Sequence, residues 1–160
     1  MAMRPETELY APVKQFLEGQ GYRVRGEVKG CDLVAVRGDE LVVVELKAVL
    51  NLALILQGVE RLKLTDAVYL AIEEPRRGRI PHWSAVQQLC RRLGLGLLTV
   101  RFGRSTPRVD VICDPAPYKP RPVPGKRRPL LGEFQRRSGD HNTGGSAGGP
   151  RVTADRKSVV

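Results

Sequence analysis

Three charged residues interrupt apolar segments in the first third of the chain. Asp32 begins the run D-L-V-A-V, and Glu45 and Lys47 lie within L-V-V-V-E-L-K-A-V-L. A Glu and a Lys two residues apart on a strand commonly form a weak ion pair on a solvated face. Here the surrounding residues are apolar, so the charges interrupt a buried segment. Two carboxylates and one ammonium group in such a patch suit the binding of a divalent cation and reaction at a phosphate.

The spacing of these residues predicts that they meet. Gly38 and Asp39 separate two short β-branched runs, which is typical of a hairpin with a two-residue loop. In that register Asp32 lies directly opposite Glu45, with Cβ atoms about 4.5–5.5 Å apart. Lys47 follows Glu45 by two residues and therefore shares its face of the strand.

A divalent cation would make this arrangement favourable. Without one, the opposed carboxylates repel each other, and apolar surroundings raise carboxylate pKa values. Mg²⁺ is held by one or two carboxylates together with waters and phosphate oxygens. We therefore predict Asp32 and Glu45 as ligands of Mg²⁺, with Mn²⁺ as a substitute. Lys47 would position or deprotonate a water molecule, or stabilise negative charge on the phosphate.

Apolar periodicity predicts the elements that position these residues. Helical spacing indicates helices at residues 9–17, 51–64 and 83–93, although Pro12 should bend the first helix or delay its regular part. Short β-branched or alternating runs indicate strands at residues 22–28, 33–36, 41–46, 67–72, 95–102 and 109–113. The order α-β-β-β-α-β-α-β-β predicts an α/β fold with a mixed central sheet flanked by helices.

The composition changes after residue 113. Residues 114–129 contain six prolines, and residues 139–150 are rich in glycine. We predict one folded domain at residues 5–113, and a basic Pro/Gly-rich linker with a largely flexible tail at residues 114–160. Within the tail, L-L-G-E-F-Q-R-R is a candidate short helix.

Charge is distributed unevenly. Residues 1–75 carry 9 Lys or Arg against 12 Asp or Glu, a balance of −3, whereas residues 76–160 carry 18 against 5, a balance of +13. The net charge of +10 and the basic second half favour a polyanionic partner, and nucleic acid is the first candidate.

The cysteines and the apolar segments exclude several classes of protein. The three cysteines show no CxxC spacing, so neither a disulfide framework nor a zinc cluster is predicted, and each is expected in the core. The start of the chain has no apolar signal segment, and the most apolar stretch, residues 48–56, is too short to cross a bilayer. The sequence therefore predicts a cytoplasmic protein without a membrane partner.

The motif and the element order together resemble the PD-(D/E)XK nuclease superfamily. The motif is G-C-D-L-V-A-V followed by E-L-K thirteen residues after Asp32, and Gly30-Cys31 stand where a proline usually precedes the aspartate. More narrowly, residues 5–140 resemble a family described as putative PD-(D/E)XK phosphodiesterases. The resemblance implies a restriction-endonuclease-like α-β-β-β-α-β core and metal-dependent hydrolysis of phosphodiester bonds, in DNA rather than RNA. It assigns Asp32 and Glu45 as metal ligands and Lys47 as the catalytic lysine.

Three further positions follow from the resemblance. Many members carry an acidic metal ligand on the first helix, and Glu8 is the best match, with Glu6 as the substitute. The alternative for Glu8 is a carboxylate that interacts with the helix dipole. Gln57 and Arg61 are four residues apart on one helix face, where similar nucleases direct a glutamine or a basic residue to the metal site or the phosphate. Their alternative is a solvated helix face.

The dispersed basic residues are candidates for nucleic-acid contacts. Besides Arg61, they are Arg76, Arg77, Arg79, Lys126, Arg127 and Arg128. The main prediction is therefore a Mg²⁺-dependent nuclease. The alternatives are a nucleic-acid-binding module without catalysis on the same fold, and a scaffold protein whose basic tail binds an acidic partner.

Overall fold

The computed structural model describes residues 6–75, 82–137 and 139 of the chain. The elements follow in the order α1 (Thr7–Glu18), β1 (Arg23–Val28), β2 (Cys31–Arg37), β3 (Glu40–Leu46), α2 (Leu52–Arg61), β4 (Ala67–Glu73), α3 (Trp83–Leu93), β5 (Gly96–Arg101), β6 (Arg108–Cys113) and α4 (Pro124–Arg136). The predicted order of the first nine elements is confirmed.

The six strands form one mixed sheet, in which their spatial order is their chain order. β3, β4 and β5 are parallel neighbours, and the other neighbouring pairs are antiparallel. Parallel neighbours need a crossover connection, and α2 and α3 supply the two that this sheet requires. The predicted α/β fold with a mixed sheet is therefore confirmed.

Strand β3 is buried on both faces of the sheet, which explains why the residues before Glu45 are apolar. Val42 and Val44 pack in the core beneath α1, whereas Val43 packs on the opposite face with Leu54 of α2. Strands that are buried on both faces are apolar at nearly every position rather than at alternate ones. Glu45 follows directly in this strand and is only 1% exposed.

The register of the hairpin between β2 and β3 is the predicted one. Arg37 pairs with Glu40 across the two-residue turn, and Leu33 pairs with Val44. The turn is reinforced by the Arg37 guanidinium, whose Nε and Nη2 donate to Glu40 Oε1 at 3.1 Å and 3.0 Å. Continuing this register by one residue puts Asp32 opposite Glu45.

Helix α1 differs from the prediction at Pro12. The proline lies inside the helix, which nevertheless begins at Thr7 and runs to Glu18. Proline removes one backbone donor, but Leu9, Val13 and Leu17 are buried from the same helix. This burial offsets one lost hydrogen bond, so the regular helix is not delayed.

The chain divides into two compact units, Met1–Lys119 and Pro120–Val160. In the second unit, the candidate helix at L-L-G-E-F-Q-R-R is part of α4, which begins earlier, at Pro124. Proline at the first helical position has a backbone φ already suited to a helix, and this favours the earlier start. All three cysteines are buried and unpaired, as predicted. None of the described helices has the length and apolar character needed to cross a membrane.

Close packing of α2 on the sheet gives the first prediction. A Cβ atom at Gly58 would lie 2.7 Å from Leu70 Cδ2, and Leu70 is fully buried. Gly58→Ala should therefore lower the free energy of unfolding by about 1–2 kcal/mol, because overpacking outweighs the gain in helix propensity of about 1 kcal/mol. Chemical denaturation measures this. Leu56→Ala, at a side chain that is 59% exposed, is the control and should change stability little. A Gly58→Ala variant as stable as wild type would contradict this packing.

Candidate active site

The carboxylates of Asp32 and Glu45 are each bound to the other residue's strand. Glu45 Oε2 accepts a hydrogen bond from the Asp32 backbone N–H at 3.0 Å. Asp32 Oδ2 accepts one from the Leu46 backbone N–H at 2.9 Å. Side chains thus replace backbone ladder bonds at this end of the β2–β3 pair. The Glu45 carboxylate therefore holds the backbone of Asp32, and the Asp32 carboxylate holds the backbone of Leu46, next to Glu45.

An irregularity in β1 accompanies this exchange. Gly26 pairs with Leu33 and Val28 pairs with Cys31, whereas Glu27 and Asp32 lie between these pairs and are not themselves paired. Glu27 has a φ of 52°, a backbone conformation that residues other than glycine rarely adopt. Such outliers concentrate at functional sites, where the surrounding structure holds them.

Asp32 lines an open pocket of about 440 Å³ beside the start of α1. Three of the lining residues are acidic, and together the lining consists of Glu6, Thr7, Tyr10, Gly26, Glu27, Asp32 and Leu46. The pocket is therefore bounded by α1, β1, β2 and β3, and it gives access to the end of the strands that carry the carboxylate pair.

Burial sets the electrostatics of Glu45. Removal from water raises the pKa of the Glu45 carboxyl above its ordinary value, and the Asp32 charge acts in the same direction. The Asp32 N–H and the Arg61 guanidinium oppose this shift. Because the net shift is upward, the negative charge on Glu45 is only partly compensated by its protein neighbours.

Lys47 lies beside the pocket and contacts an acidic residue of α1. Its Nζ is 3.2 Å from Glu6 Oε1, and its backbone N–H donates to Ala71 O at 3.0 Å. Glu6 is the N-cap residue of α1. Glu8, the first choice from the sequence, is exposed and is not part of the pocket lining. The structure thus brings Glu6 to Lys47.

The two candidates on α2 occupy different environments. Gln57 is exposed. Arg61 Nη2 donates to Gly30 O at 2.8 Å and lies 3.4 Å from Glu45 Oε1. Of this pair, Arg61 therefore reaches the carboxylates.

The other predicted basic contacts are either exposed on α4 or outside the described residues. Arg76, Arg77 and Arg79 are outside the described part of the chain. The cluster in the first turn and a half of α4 is exposed throughout and consists of Lys126, Arg127 and Arg128.

The donor groups fit a hard divalent cation held by two carboxylates. Within residues 6–75, 82–137 and 139, no group of three or more His, Cys, Asp or Glu side chains could hold a metal ion. Asp32 and Glu45 are the two acidic residues whose carboxylates bind each other's strands, and the role of Glu8 as a further ligand stays a prediction. Two carboxylates with waters and substrate oxygens suffice for Mg²⁺. Burial raises the pKa of the neighbouring Cys31 thiol, which disfavours the thiolate that a softer metal would require.

Two features of this site have no local signal in the sequence. The position of Glu27 in the pocket depends on the irregularity opposite Asp32. The contact of Glu6 with Lys47 depends on where α1 begins. Since Thr7 is already helical, Glu6 is the residue at the end of the helix that faces Lys47.

Comparisons with known proteins bear on a different part of the chain. Residues 98–160 match the model of the family described as "Putative PD-(D/E)XK phosphodiesterase (DUF2161)". The matched segment starts within β5 and does not include Asp32, Glu45 or Lys47. Searches of curated proteins and of solved structures gave no match. The family description suggests hydrolase activity. The predicted resemblance to this family is thus confirmed over residues 98–160, which are less than half of the chain and do not include the motif.

Proposed function

We propose that the protein is a metal-dependent nuclease that hydrolyses phosphodiester bonds in DNA, on a restriction-endonuclease-like fold. The observation that carries the proposal is the pair of hydrogen bonds by which the carboxylates of Asp32 and Glu45 each bind the other's strand, with Glu45 buried and Asp32 lining an open pocket. The order of α1 to β4 and the mixed sheet agree with the core that this fold requires. The choice of DNA rests on the resemblance alone.

Asp32 and Glu45 are the proposed metal ligands. Proteins of the PD-(D/E)XK type generally use divalent metal ions, and we propose Mg²⁺, with Mn²⁺ able to replace it. Bound there, the ion would supply Lewis acidity at the phosphate and lower the pKa of a coordinated water. Asp32 keeps its carboxylate at the pocket wall through its bond to the Leu46 N–H. Glu45 contributes a carboxylate whose excess negative charge favours a cation.

Lys47 is the proposed catalytic lysine. Its ammonium group would stabilise the negative charge that develops on the phosphate, or orient the attacking water. Glu6 holds the Lys47 Nζ at the pocket, so we assign the acidic role on α1 to Glu6 ahead of Glu8. Gln57 remains a candidate by resemblance, since its exposed side chain is free to meet a substrate backbone.

The basic residues are the proposed contacts to the DNA backbone. Lys126, Arg127 and Arg128 are consecutive and exposed at the start of α4. Phosphate contacts of this kind position nucleic acid without reading its sequence. Arg76, Arg77 and Arg79 are assigned the same role from the sequence.

A nucleic-acid-binding module without catalysis is the second candidate function. It is favoured by the ion pair between Arg61 and Glu45, because a guanidinium already partly compensates the buried carboxylate. Binding of DNA without cleavage in the presence of Mg²⁺ or Mn²⁺ would support this alternative.

Cleavage and binding should respond separately to mutation. Glu45→Gln and Lys47→Met should each lower the rate of DNA cleavage by roughly a hundredfold or more, because each removes a charge from the reaction site. DNA affinity measured in EDTA should stay within a few-fold of wild type. Lys63→Gln is the control, since Lys63 is exposed and paired with Glu60. Substantial turnover in both site variants would show that the reaction occurs elsewhere.

Metal binding should be detectable without substrate. Mn²⁺ or Mg²⁺ should raise the melting temperature, because a ligand bound only by the native state adds about 2.7 kcal/mol of stability at a hundredfold excess over its Kd. Asp32→Asn removes one ligand charge and should abolish the shift. Without metal, this variant should melt no lower than wild type, since the repulsion between the two carboxylates is relieved. A full metal-induced shift in Asp32→Asn would contradict the assignment of the carboxylate pair.

The basic cluster on α4 should control the salt dependence of binding. Replacing Lys126, Arg127 and Arg128 by Gln should weaken DNA binding and reduce the slope of log K against log salt by up to about three, since the slope tracks the number of neutralised phosphates. A matched control with the same change in net charge replaces Arg23, Arg25 and Lys63. Equal effects of the two triple variants would indicate a general charge effect rather than contacts by α4.

A further inference from the structure

Arg61 links two segments of the candidate site. Its Nη2 donates to the carbonyl of Gly30 at 2.8 Å and is 3.4 Å from Glu45 Oε1. Gly30 belongs to the turn between β1 and β2, where Lys29 and Gly30 have φ values of 52° and 82°, and Asp32 follows two residues later. One guanidinium nitrogen thus joins the segment that leads to Asp32 to the carboxylate of Glu45.

The environment of the pair makes this contact energetically important. The side chain of Glu45 is 1% exposed and that of Arg61 is 20% exposed, so the contact is largely removed from water. Removing one partner of a buried ion pair leaves the other charge uncompensated, and this is strongly destabilising. Arg61 Nε is buried and has no hydrogen-bond partner among the described residues. Its charge, rather than a complete set of hydrogen bonds, is therefore the main contribution of the guanidinium.

The contact also bears on the role of Arg61 that the sequence suggested. The Arg61 guanidinium is mostly buried and is directed at Glu45 and Gly30. It is therefore poorly placed to contact a DNA backbone. The exposed cluster at Lys126, Arg127 and Arg128 has no such restriction.

We propose that Arg61 is a positioning residue that serves as the built-in counter-cation of Glu45, and that a divalent metal binds at the carboxylate pair against the charge of Arg61. The second part rests on the proposed function. The guanidinium stabilises the buried carboxylate in the absence of metal and keeps it directed at Asp32. The same positive charge repels an incoming cation, so metal affinity is weaker than the two carboxylates alone would give.

The experiment compares Arg61→Gln, Arg61→Lys, Glu45→Gln and the double variant Arg61→Gln/Glu45→Gln with wild type at pH 8. Lys63→Gln is the matched control, because it removes one positive charge close to the end of α2 from an exposed side chain. Melting temperatures are measured in EDTA and during a Mn²⁺ titration. DNA affinity is measured in EDTA at several salt concentrations.

In EDTA, Arg61→Gln should lower the melting temperature by roughly 10 °C, the size expected for breaking a buried pair in a chain of this length. Adding Glu45→Gln to it should recover most of that loss, which a double-mutant cycle records as coupling between positions 45 and 61. If Arg61→Gln unfolds the protein, Arg61→Lys and the double variant still report on the coupling. Absence of coupling would overturn the proposal.

In Mn²⁺, Arg61→Gln should show a larger thermal shift than wild type and an apparent Kd tighter by roughly tenfold, since the repulsion is removed. Arg61→Lys should stay within a few-fold of wild type, because it keeps the charge. If Arg61→Lys instead matches Arg61→Gln, the charge is not what Arg61 supplies and the proposal is wrong. If Arg61→Gln changes only DNA affinity and lowers the salt slope by about one, Arg61 is a phosphate contact, which also overturns it.

The experiment separates the pairing of Arg61 with Glu45 from the binding of metal at the carboxylate pair. Coupling between positions 45 and 61 in EDTA, together with no response of any variant to Mn²⁺, supports the pairing of Arg61 with Glu45. That result would at the same time remove the metal centre from the proposed function.

Discussion

A carboxylate buried at the end of a central strand is the constraint on which the rest of the structure depends. Glu45 continues an apolar strand that is covered on both faces, and its side chain is 1% exposed. An ionised group in that position is tolerated only if hydrogen bonds and opposite charges replace the lost water. The Asp32 N–H and the Arg61 guanidinium supply part of that replacement. These groups do not fully replace the lost hydration, and the pKa of Glu45 is therefore raised. A bound cation would supply the missing stabilisation of the carboxylate.

The elements around Glu45 are arranged so that these partners reach it. The two-residue turn sets the register that brings Asp32 opposite Glu45, and the carboxylate of Asp32 then binds the backbone of Leu46. The crossover through α2 returns Arg61 to the same end of the sheet. The start of α1 brings Glu6 to Lys47. The site is therefore formed by the β2–β3 hairpin together with residues from α1 and from the end of α2.

This arrangement explains which parts could be predicted from the sequence. Apolar periodicity is a local signal, so the order of helices and strands and the hairpin register were predicted correctly. The resemblance directed Arg61 to the metal site or to the phosphate, but it did not identify Glu45 and Gly30 as its partners, which lie 16 and 31 residues away in the sequence. No local pattern encodes which carbonyl or carboxylate an arginine at the end of a helix will meet. The contact between Glu6 and Lys47 was not predicted either, because it depends on α1 beginning at Thr7 rather than near residue 9, and helix boundaries are the least reliable part of a sequence prediction.

The family match and the carboxylate pair lie in different parts of the chain, yet the sheet connects them. Glu45 pairs with Leu70 of β4, and Leu70 pairs with Leu97 of β5, one residue before the matched segment begins. The matched segment therefore begins on β5, which pairs with β4, the strand next to β3. It carries none of the proposed ligands. A match to such a supporting segment cannot arise from the short D…ExK motif, which chance alone produces easily in apolar strands. The family match and the carboxylate pair come from different residues, and these residues lie in one sheet. Each observation therefore strengthens the other as support for the proposed phosphodiesterase function.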